Sequence, residues 1–388
     1  MLQDKPHLLP RHQNEWAHQN FFDIFWWFTR FFIPLHRFTT IIHSTMKHIF
    51  SSLSSLFLAT IMILALTSAD TDKVTTIFVI GDSTAANKDI SNDKRERGWG
   101  MALQCYFTDD IRIDNHAVNG RSSISFFNEG RWAKVLEKMK PGDYVIIQFG
   151  HNDEKPGEKR HTDPGSTFDY MLARYVRETR EHGGIPVLMN CVVRRNFFTA
   201  VPDNDDDEKL RTTTFKDGVK MVEGDTLIDT HGLYRVAPRD VARRMNVHFV
   251  DANQITHDLE QGLGTEASKR LHMWFKPGEE PSVPDGRQDN THYNVHGAHV
   301  VAKLLADALC EEIPLLKKYR CEADYTVDAK GRGDFMSLQQ AIDTIQSRRQ
   351  QTATVQILGG EWQKPQLPRK SKIQFVMREN AKWQAQGK

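Results

Sequence analysis

Four short stretches of this chain carry the residue types that acyl chemistry needs. Gly81-Asp82-Ser83 follows the apolar run Ile77-Phe78-Val79-Ile80. Such a run reads as a buried strand, and the glycine ends it. A serine on the turn after a central strand sits where open α/β sheets place their ligands. Taken alone, Gly-Asp-Ser is an ordinary helix cap, because Asp and Ser are favoured there. Serine is a poor nucleophile until a base takes its proton. The candidate base is His292 in Asp289-Asn290-Thr291-His292. Asp289, three residues earlier, is placed to hold one imidazole N–H and to stabilise the imidazolium. Asp-x-x-His by itself is an ordinary loop or a pair of metal ligands. No companion cluster of His and carboxylate at ligand spacing accompanies it, so neither a metal nor another cofactor is expected. An acyl-transfer intermediate carries an oxyanion that needs fixed donors. The candidates are the backbone N–H groups of Ser83 and Gly120 and the side-chain amide of Asn152. Asn119-Gly120 alone is a turn, and Asn152 alone is a turn former after a strand.

The segments between these residues have to bring them together. Strand character recurs at 77–80, 111–118, 144–149, 185–193 and 247–250. Between and after these lie helical segments at 99–107, 132–139, 167–181, 239–245, 255–263 and 294–312. In 167–181, Phe168, Leu172, Tyr175 and Val176 share one face. In the last helix Val295, Ala298, Val301, Ala302, Leu305 and Leu309 point inward. Residues 286–293 read as a loop. Residues 194–229 have no strong period and hold an acidic run at 203–208, which reads as a solvated loop. Strands separated by helices predict a mainly parallel sheet covered on both faces. The loops after successive strands then gather along one edge, with Ser83, Gly120, Asn152, Asp289 and His292 on them.

Composition narrows the function classes. The chain has 388 residues, 39% hydrophobic and 26% charged, which suits a globular protein with one large domain and an extra piece. A net charge of +1 and the lack of a basic stripe with interleaved aromatics point away from nucleic acid. The four cysteines include no Cys-x-x-Cys pair. Cys105 and Cys191 read as buried thiols; Cys310 and Cys321 flank a helix end and are candidates for a disulfide in an oxidising compartment. Residues 21–35 are rich in Phe and Trp but too short and interrupted for a membrane span. Met46 opens a better pattern: Lys47 and His48, an apolar core at 53–66, then Thr67-Ser68-Ala69. This is a secretory signal peptide over 46–69, with residues 1–45 an upstream extension. The expected location is therefore secreted or periplasmic, with no stable membrane span once the signal is removed.

Gly81-Asp82-Ser83, Gly120, Gly150-His151-Asn152-Asp153 and Asp289-Asn290-Thr291-His292 fall in the order and contexts of the SGNH (GDSL) hydrolases. More narrowly, Arg97-Gly98-Trp99-Gly100, the segments 115–123, 148–153 and 289–298, and Thr230-His231-Gly232-Leu233-Tyr234 resemble rhamnogalacturonan acetylesterases. The resemblance covers about residues 75–319, within a domain taken as 70–320. It implies a three-layer α/β/α sandwich with a mainly parallel sheet, flavodoxin-like in architecture, and deacetylation of acetylated galacturonic acid residues in pectin, so the partner is an acetylated pectic polysaccharide or oligosaccharide. It also implies Ser83 as nucleophile, His292 as base, Asp289 as orienting acid, and an oxyanion hole of Ser83, Gly120 and Asn152. Substrate contacts are assigned to Asp82, Trp99, Arg121, His151, Arg194 and Arg195. Arginine suits a galacturonate carboxylate, although a solvated face is an equal use for Arg121, Arg194 and Arg195. Trp99 offers either a sugar-stacking surface or a core side chain. His151 either touches substrate or packs beside Asn152, and His231 reads as a structural hydrogen-bonder.

Residues 321–388 differ in character. Tyr325-Thr326-Val327-Asp328-Ala329-Lys330-Gly331-Arg332-Gly333-Asp334-Phe335, followed by 337–343, resembles the opening of a pectin methylesterase. That family is a parallel β-helix, and strands at 354–358 and 373–376 would begin it. Its catalytic residues lie on later turns, so a partly ordered, catalytically inert fragment is expected. The rival readings are an SGNH lipase, thioesterase or xylan deacetylase, and a carbohydrate-binding pseudoenzyme. A lipase calls for an apolar lid, whereas the long insert is acidic.

Overall fold

The computed structural model describes residues 74–197, 224–367 and 371–385. The expected extension at 1–45, the signal peptide at 46–69 and the acidic run at 203–208 lie outside the described residues. Five strands form the central sheet: β1 (Thr75–Gly81), β2 (Ile111–Asn115), β3 (Tyr144–Gln148), β4 (Ile185–Met189) and β5 (His248–Val250). Their order is β2-β1-β3-β4-β5, and every pair is parallel. This is the doubly wound order in which connections from β1 and β3 leave on opposite sides, opening a crevice at the strands' carboxyl ends.

The apolar runs are continuous because both sheet faces are covered. Ile77, Val79, Ile146, Val187 and Met189 face one core. Phe78, Ile80, Val145, Ile147 and Leu188, their neighbours in sequence, face the other. On the first face lie α1 (Trp99–Ala102), α6 (Ala252–Ser268) and α7 (Val295–Glu312). The second face is covered by α2 (Ser123–Asn128), α3 (Arg131–Leu136), α4 (Thr167–Glu181) and α5 (Leu233–Met245). The expected three-layer sandwich is therefore the fold, and α4 has the bounds that its periodicity predicts.

Several expectations need correction. The helix read at 99–107 is one α-turn, Trp99–Ala102, followed by a 3-10 turn, Leu103–Tyr106. The short α2 escaped notice because its apolar signal is brief; Ser122 starts it with a reciprocal capping box to Ser125. The loop read at 286–293 is a strand, β7 (Arg287–Tyr293), paired antiparallel with β6 (His272–Phe275). Residues Gln288 to His292 are all polar yet buried, so hydrophobic alternation gives no sign of them. Gly98 permits a close crossing behind Ser83, since a Cβ there would lie 2.3 Å from the Ala86 carbonyl oxygen. The four cysteines are free thiols, so Cys310 and Cys321 are not joined. Cys310 is instead part of the core under α7.

The C-terminal residues form β8 (Tyr325–Val327), α8 (Leu338–Ser347), β9 (Thr352–Trp362) and β10 (Lys372–Trp383). The three strands are parallel in the order β10-β9-β8 and share an apolar core that includes Val327, Ile342, Val355 and Ile357. The unit is docked on the sandwich: Arg97 Nε donates to the Gly331 carbonyl (3.0 Å), and Arg378 Nη2 to that of Phe107 (2.6 Å). Among the described residues, no helix is long and apolar enough to cross a membrane.

Candidate active site

β1 ends at Gly81, and Asp82 builds the turn that follows. The Asp82 carbonyl accepts the N–H groups of Ala85 (3.3 Å) and Ala86 (3.1 Å). Its carboxylate Oδ1 accepts the Thr84 N–H (2.9 Å) and hydroxyl (2.8 Å). Asp82 is thereby spent inside the turn, and Ser83 stands at the rim, half-buried. β7 delivers the other two groups. The N–H groups of Thr291 and His292 both donate to Asp289 Oδ1 at 2.9 Å, which holds the carboxylate against its own strand. His292 Nδ1 lies 2.9 Å from Asp289 Oδ2, and His292 Nε2 lies 2.8 Å from Ser83 Oγ. An ionised carboxylate only accepts, so Nδ1 carries the hydrogen and Nε2 presents its lone pair to the serine hydroxyl. Gly120 sits in the turn after β2 with φ +75°, a left-handed conformation that suits glycine. Asn152 Nδ2, from the loop after β3, donates to the Arg121 carbonyl (3.2 Å), which ties the two loops together.

Residues 79–300 match the model of the GDSL-like Lipase/Acylhydrolase family. The chain belongs to that family. It is a carboxylic ester hydrolase. Similar to it is the rhamnogalacturonan acetylesterase RhgT of Bacillus subtilis (strain 168), 36% identical over 256 residues, covering 66% of this chain and 96% of the relative. The rhamnogalacturonan acetylesterase of Emericella nidulans is 33% identical over 253 residues, covering 62% of this chain and 87% of its own length. Among solved structures, the crystal structure of YxiM from Bacillus subtilis is similar at 25% identity and a TM-score of 0.46, covering 61% of this chain and 56% of that one.

In this acylhydrolase five assigned substrate contacts are buried and out of reach. Trp99 is fully buried in the core beneath α7, so it offers no stacking surface. Asp82 has no exposed surface. Arg194 is buried in an ion pair with Glu154, and Arg195 donates to Ser268 Oγ (2.9 Å), Asn290 Oδ1 (3.2 Å) and the Thr265 carbonyl. Both arginines lie after β4, as the pattern requires, but their guanidinium groups point into the protein. Sequence gives the strand end and not the side-chain direction. His151 is also buried: it packs edge-on against His231, with ring centroids 4.5 Å apart, and Nδ1 lies 3.4 Å from Asp82 Oδ2. Arg121 stays at the surface, where Nε meets Glu129 Oε2 at 3.1 Å.

The charges around the acylhydrolase site follow from burial and pairing. Burial alone would raise the Asp289 carboxyl, but the charge and hydrogen bonds of His292, together with Arg287, hold it well below the usual range. Burial outweighs the Asp82 charge at His151, whose pKa falls to about 4, so this ring is neutral. Burial also raises Asp153 to about 7, against hydrogen bonds from Ser123 and Thr162. His151, Cys191 and His231 are close enough to be tested as metal ligands. His231 Nδ1 faces Glu154 Oε2 at 3.0 Å and Nε2 faces the Val192 carbonyl at 3.1 Å. Those two contacts are acceptors and nearer than the Arg194 guanidinium, whose Nη1 lies 3.5 Å from Nδ1, so both ring nitrogens carry hydrogen and His231 has no lone pair to give. Burial opposes that charge; the acceptors around it, Cys191 and Glu154 among them, outweigh burial and keep the His231 pKa raised. The donor set does not fit a metal.

Glu154 sets a pH dependence of stability. Burial raises its pKa, but Arg194 and His231 pull it down from 4.5 to about 2. A depressed carboxylate contributes its stability above the unfolded-state pKa, and that contribution disappears as pH falls from about 4.5 to about 2. Glu154→Gln is expected to cost on the order of 2–4 kcal/mol at neutral pH, because it removes the buried carboxylate charge that faces both Arg194 and His231. The loss should shrink across the same acid window, as checked by urea unfolding at a series of pH values. An equal loss at every pH would remove Glu154 as the titrating group.

Sequence reasoning missed Arg287, Glu96 and Lys88. Arg287 Nη2 lies 2.5 Å from Asp289 Oδ2, and Nη1 lies 2.9 Å from Glu96 Oε2. Lys88 Nζ lies 2.8 Å from Glu96 Oε1. One signal was present: residues i and i+2 of a strand share a face. It is legible only once 287–293 is known to be a strand.

Proposed function

We propose that this protein is a serine carbohydrate esterase that removes acetyl groups from acetylated rhamnogalacturonan. The observation that carries the reading is the unbroken hydrogen-bonded line Ser83–His292–Asp289 at 2.8 and 2.9 Å. Ser83 Oγ attacks the acetyl carbonyl carbon as His292 Nε2 takes the hydroxyl proton. The tetrahedral oxyanion is received by the N–H groups of Ser83 and Gly120 and the Asn152 amide. His292 returns the proton to the departing sugar oxygen, leaving an acetyl ester on Ser83. Water, deprotonated by the same nitrogen, attacks that ester and releases acetate. Asp289 holds the imidazole in the required tautomer and stabilises the imidazolium.

The pectic substrate is supported by the two rhamnogalacturonan acetylesterases among the relatives. A cavity of about 350 Å³ beside Gly120 also supports it: Lys159 and Arg160 line it, with Glu158 and the Arg121–Glu129 pair, and its cations suit uronate carboxylates. The signal peptide read over 46–69 supports a secreted enzyme, and the segment 321–388 is a pectin methylesterase-like piece in this reading. Acetate release from acetylated rhamnogalacturonan, acetylated xylan and 4-nitrophenyl acetate tests the substrate. The pectic polymer is expected to be the best of the two polysaccharides. Turnover of xylan alone would remove the pectin assignment, and no acetate from any of the three would leave the pseudoenzyme reading.

A further inference from the structure

We propose that Arg287, Glu96 and Lys88 are positioning residues that link the Asp289–His292 pair to the loop carrying Gly120. This inference rests on the Ser83–His292–Asp289 reading above. The links run in one direction across the site. Asp289 Oδ2 meets Arg287 Nη2 at 2.5 Å, and Arg287 Nη1 meets Glu96 Oε2 at 2.9 Å. Glu96 Oε1 meets Lys88 Nζ at 2.8 Å, and the same ammonium donates to Asn119 Oδ1 at 2.7 Å. Asn119 immediately precedes Gly120. The backbone reinforces the arrangement: Glu96 bridges antiparallel to Asn294, and the Arg97 N–H donates to the Tyr293 carbonyl at 3.0 Å. Glu96 is thus fixed against the end of the strand that carries His292.

The links are sheltered at the Asp289 end and open towards the Gly120 loop: the Asp289 and Lys88 side chains are 2% and 4% exposed, those of Arg287 and Glu96 are 16% and 22% exposed, and Asn119 is at the surface. Long, flexible Lys, Glu and Arg side chains lose rotamer freedom when held in this way. Each here has partners on both sides, and the two cations balance the two carboxylates. The titratable and charged groups facing His292 are Asp289 and Arg287 from β7, and Glu96 and Lys88 from the segment after β1. Asp82 lies beside Ser83, with His151 against it from the loop after β3. Arg287 is the cation nearest Asp289 and opposes an imidazolium at His292. Glu96 is an anion that favours one; His292 is in turn the largest charge effect holding the Glu96 pKa down, against burial, at about 2. The two residues therefore act on the same proton with opposite sign.

That sign difference supplies the test. Wild type, Ser83→Ala, Arg287→Gln, Glu96→Gln, the Arg287→Gln/Glu96→Gln double variant and Lys88→Met are assayed on 4-nitrophenyl acetate across pH, with melting curves recorded alongside. Arg287→Gln is expected to lower kcat by about 10- to 100-fold and to move the acid limb of kcat/KM upward by about 0.5 to 1 pH unit. Glu96→Gln should move the limb downward by a similar amount, and the double variant should return it towards the wild-type position. Lys88→Met should lower kcat by about 3- to 30-fold through the Gly120 loop, with KM little changed. Limbs that stay fixed, or that move the same way in both single variants, would overturn the proposal even if activity falls. A folded Lys88→Met with unchanged kcat would remove the link to the oxyanion loop. Full activity in Ser83→Ala would instead sink the triad reading beneath it.

Discussion

Ser83→Ala is expected to lower kcat by about 100,000- to 1,000,000-fold, and His292→Ala by about as much. The two losses are equal because each removes the same step. Without Oγ there is no nucleophile, and without Nε2 the hydroxyl keeps its proton at neutral pH. The 2.8 Å contact between these atoms is the part of the site with no structural duty. It joins a half-buried side chain on the turn after β1 to one in β7, 209 residues apart in sequence. Neither the turn nor the strand needs it, since Asp82 closes the turn and backbone pairing holds β7. Both variants should therefore melt close to wild type. Acetate release with 4-nitrophenyl acetate, and mass spectrometry of quenched enzyme for an acetyl group on residue 83, measure the effect. A Ser83→Ala protein within tenfold of wild type would end the nucleophile assignment.

Asn152→Ala is the second large effect, about 100- to 1000-fold in kcat with KM changed by less than about threefold. The asymmetry follows from where the amide acts. An oxyanion donor is worth most when negative charge has developed on the carbonyl oxygen, which happens in the transition state and not in the bound ester. Asn152 also donates to the Arg121 carbonyl at 3.2 Å, so the substitution loosens the loop that carries Gly120. Asn152→Asp should be no better than alanine: its carboxylate fills the same space but has no hydrogen for the Arg121 carbonyl and repels the oxyanion. A loss that appears in KM alone, with kcat intact, would assign Asn152 to substrate binding and not to the oxyanion.

The sandwich was legible because its signals are local. β1, β3 and β4 are apolar runs, α4 has the spacing of a one-sided helix, and the alternation of the two types leaves few topologies. The positions of Ser83, Gly120 and Asn152 at strand ends follow from that alternation alone. The site was harder where its residues contradict the pattern. Asp289 and His292 were recognised by type and spacing, but the segment was read as a loop. Its polar side chains are buried by pairing with one another, and a buried polar strand has the composition of an exposed one.

Sequence by itself determined the fold class, the edge of the sheet at which the candidate site lies, and the residue types that compose it. These depend on periodicity and on short motifs, each contained within a few residues. Only the tertiary structure decided which charged groups face the site. Arg194 and Arg195 stand at a strand end that should present them to substrate, yet both turn inward to buried partners. Arg287, Glu96 and Lys88 carry no motif, yet they run outward from Asp289 as a line of ion pairs. The physical reason is that a long side chain's direction is set by partners brought in from distant parts of the chain. Burying a charge is costly without a counter-charge, and where that counter-charge lies is a property of the folded molecule alone.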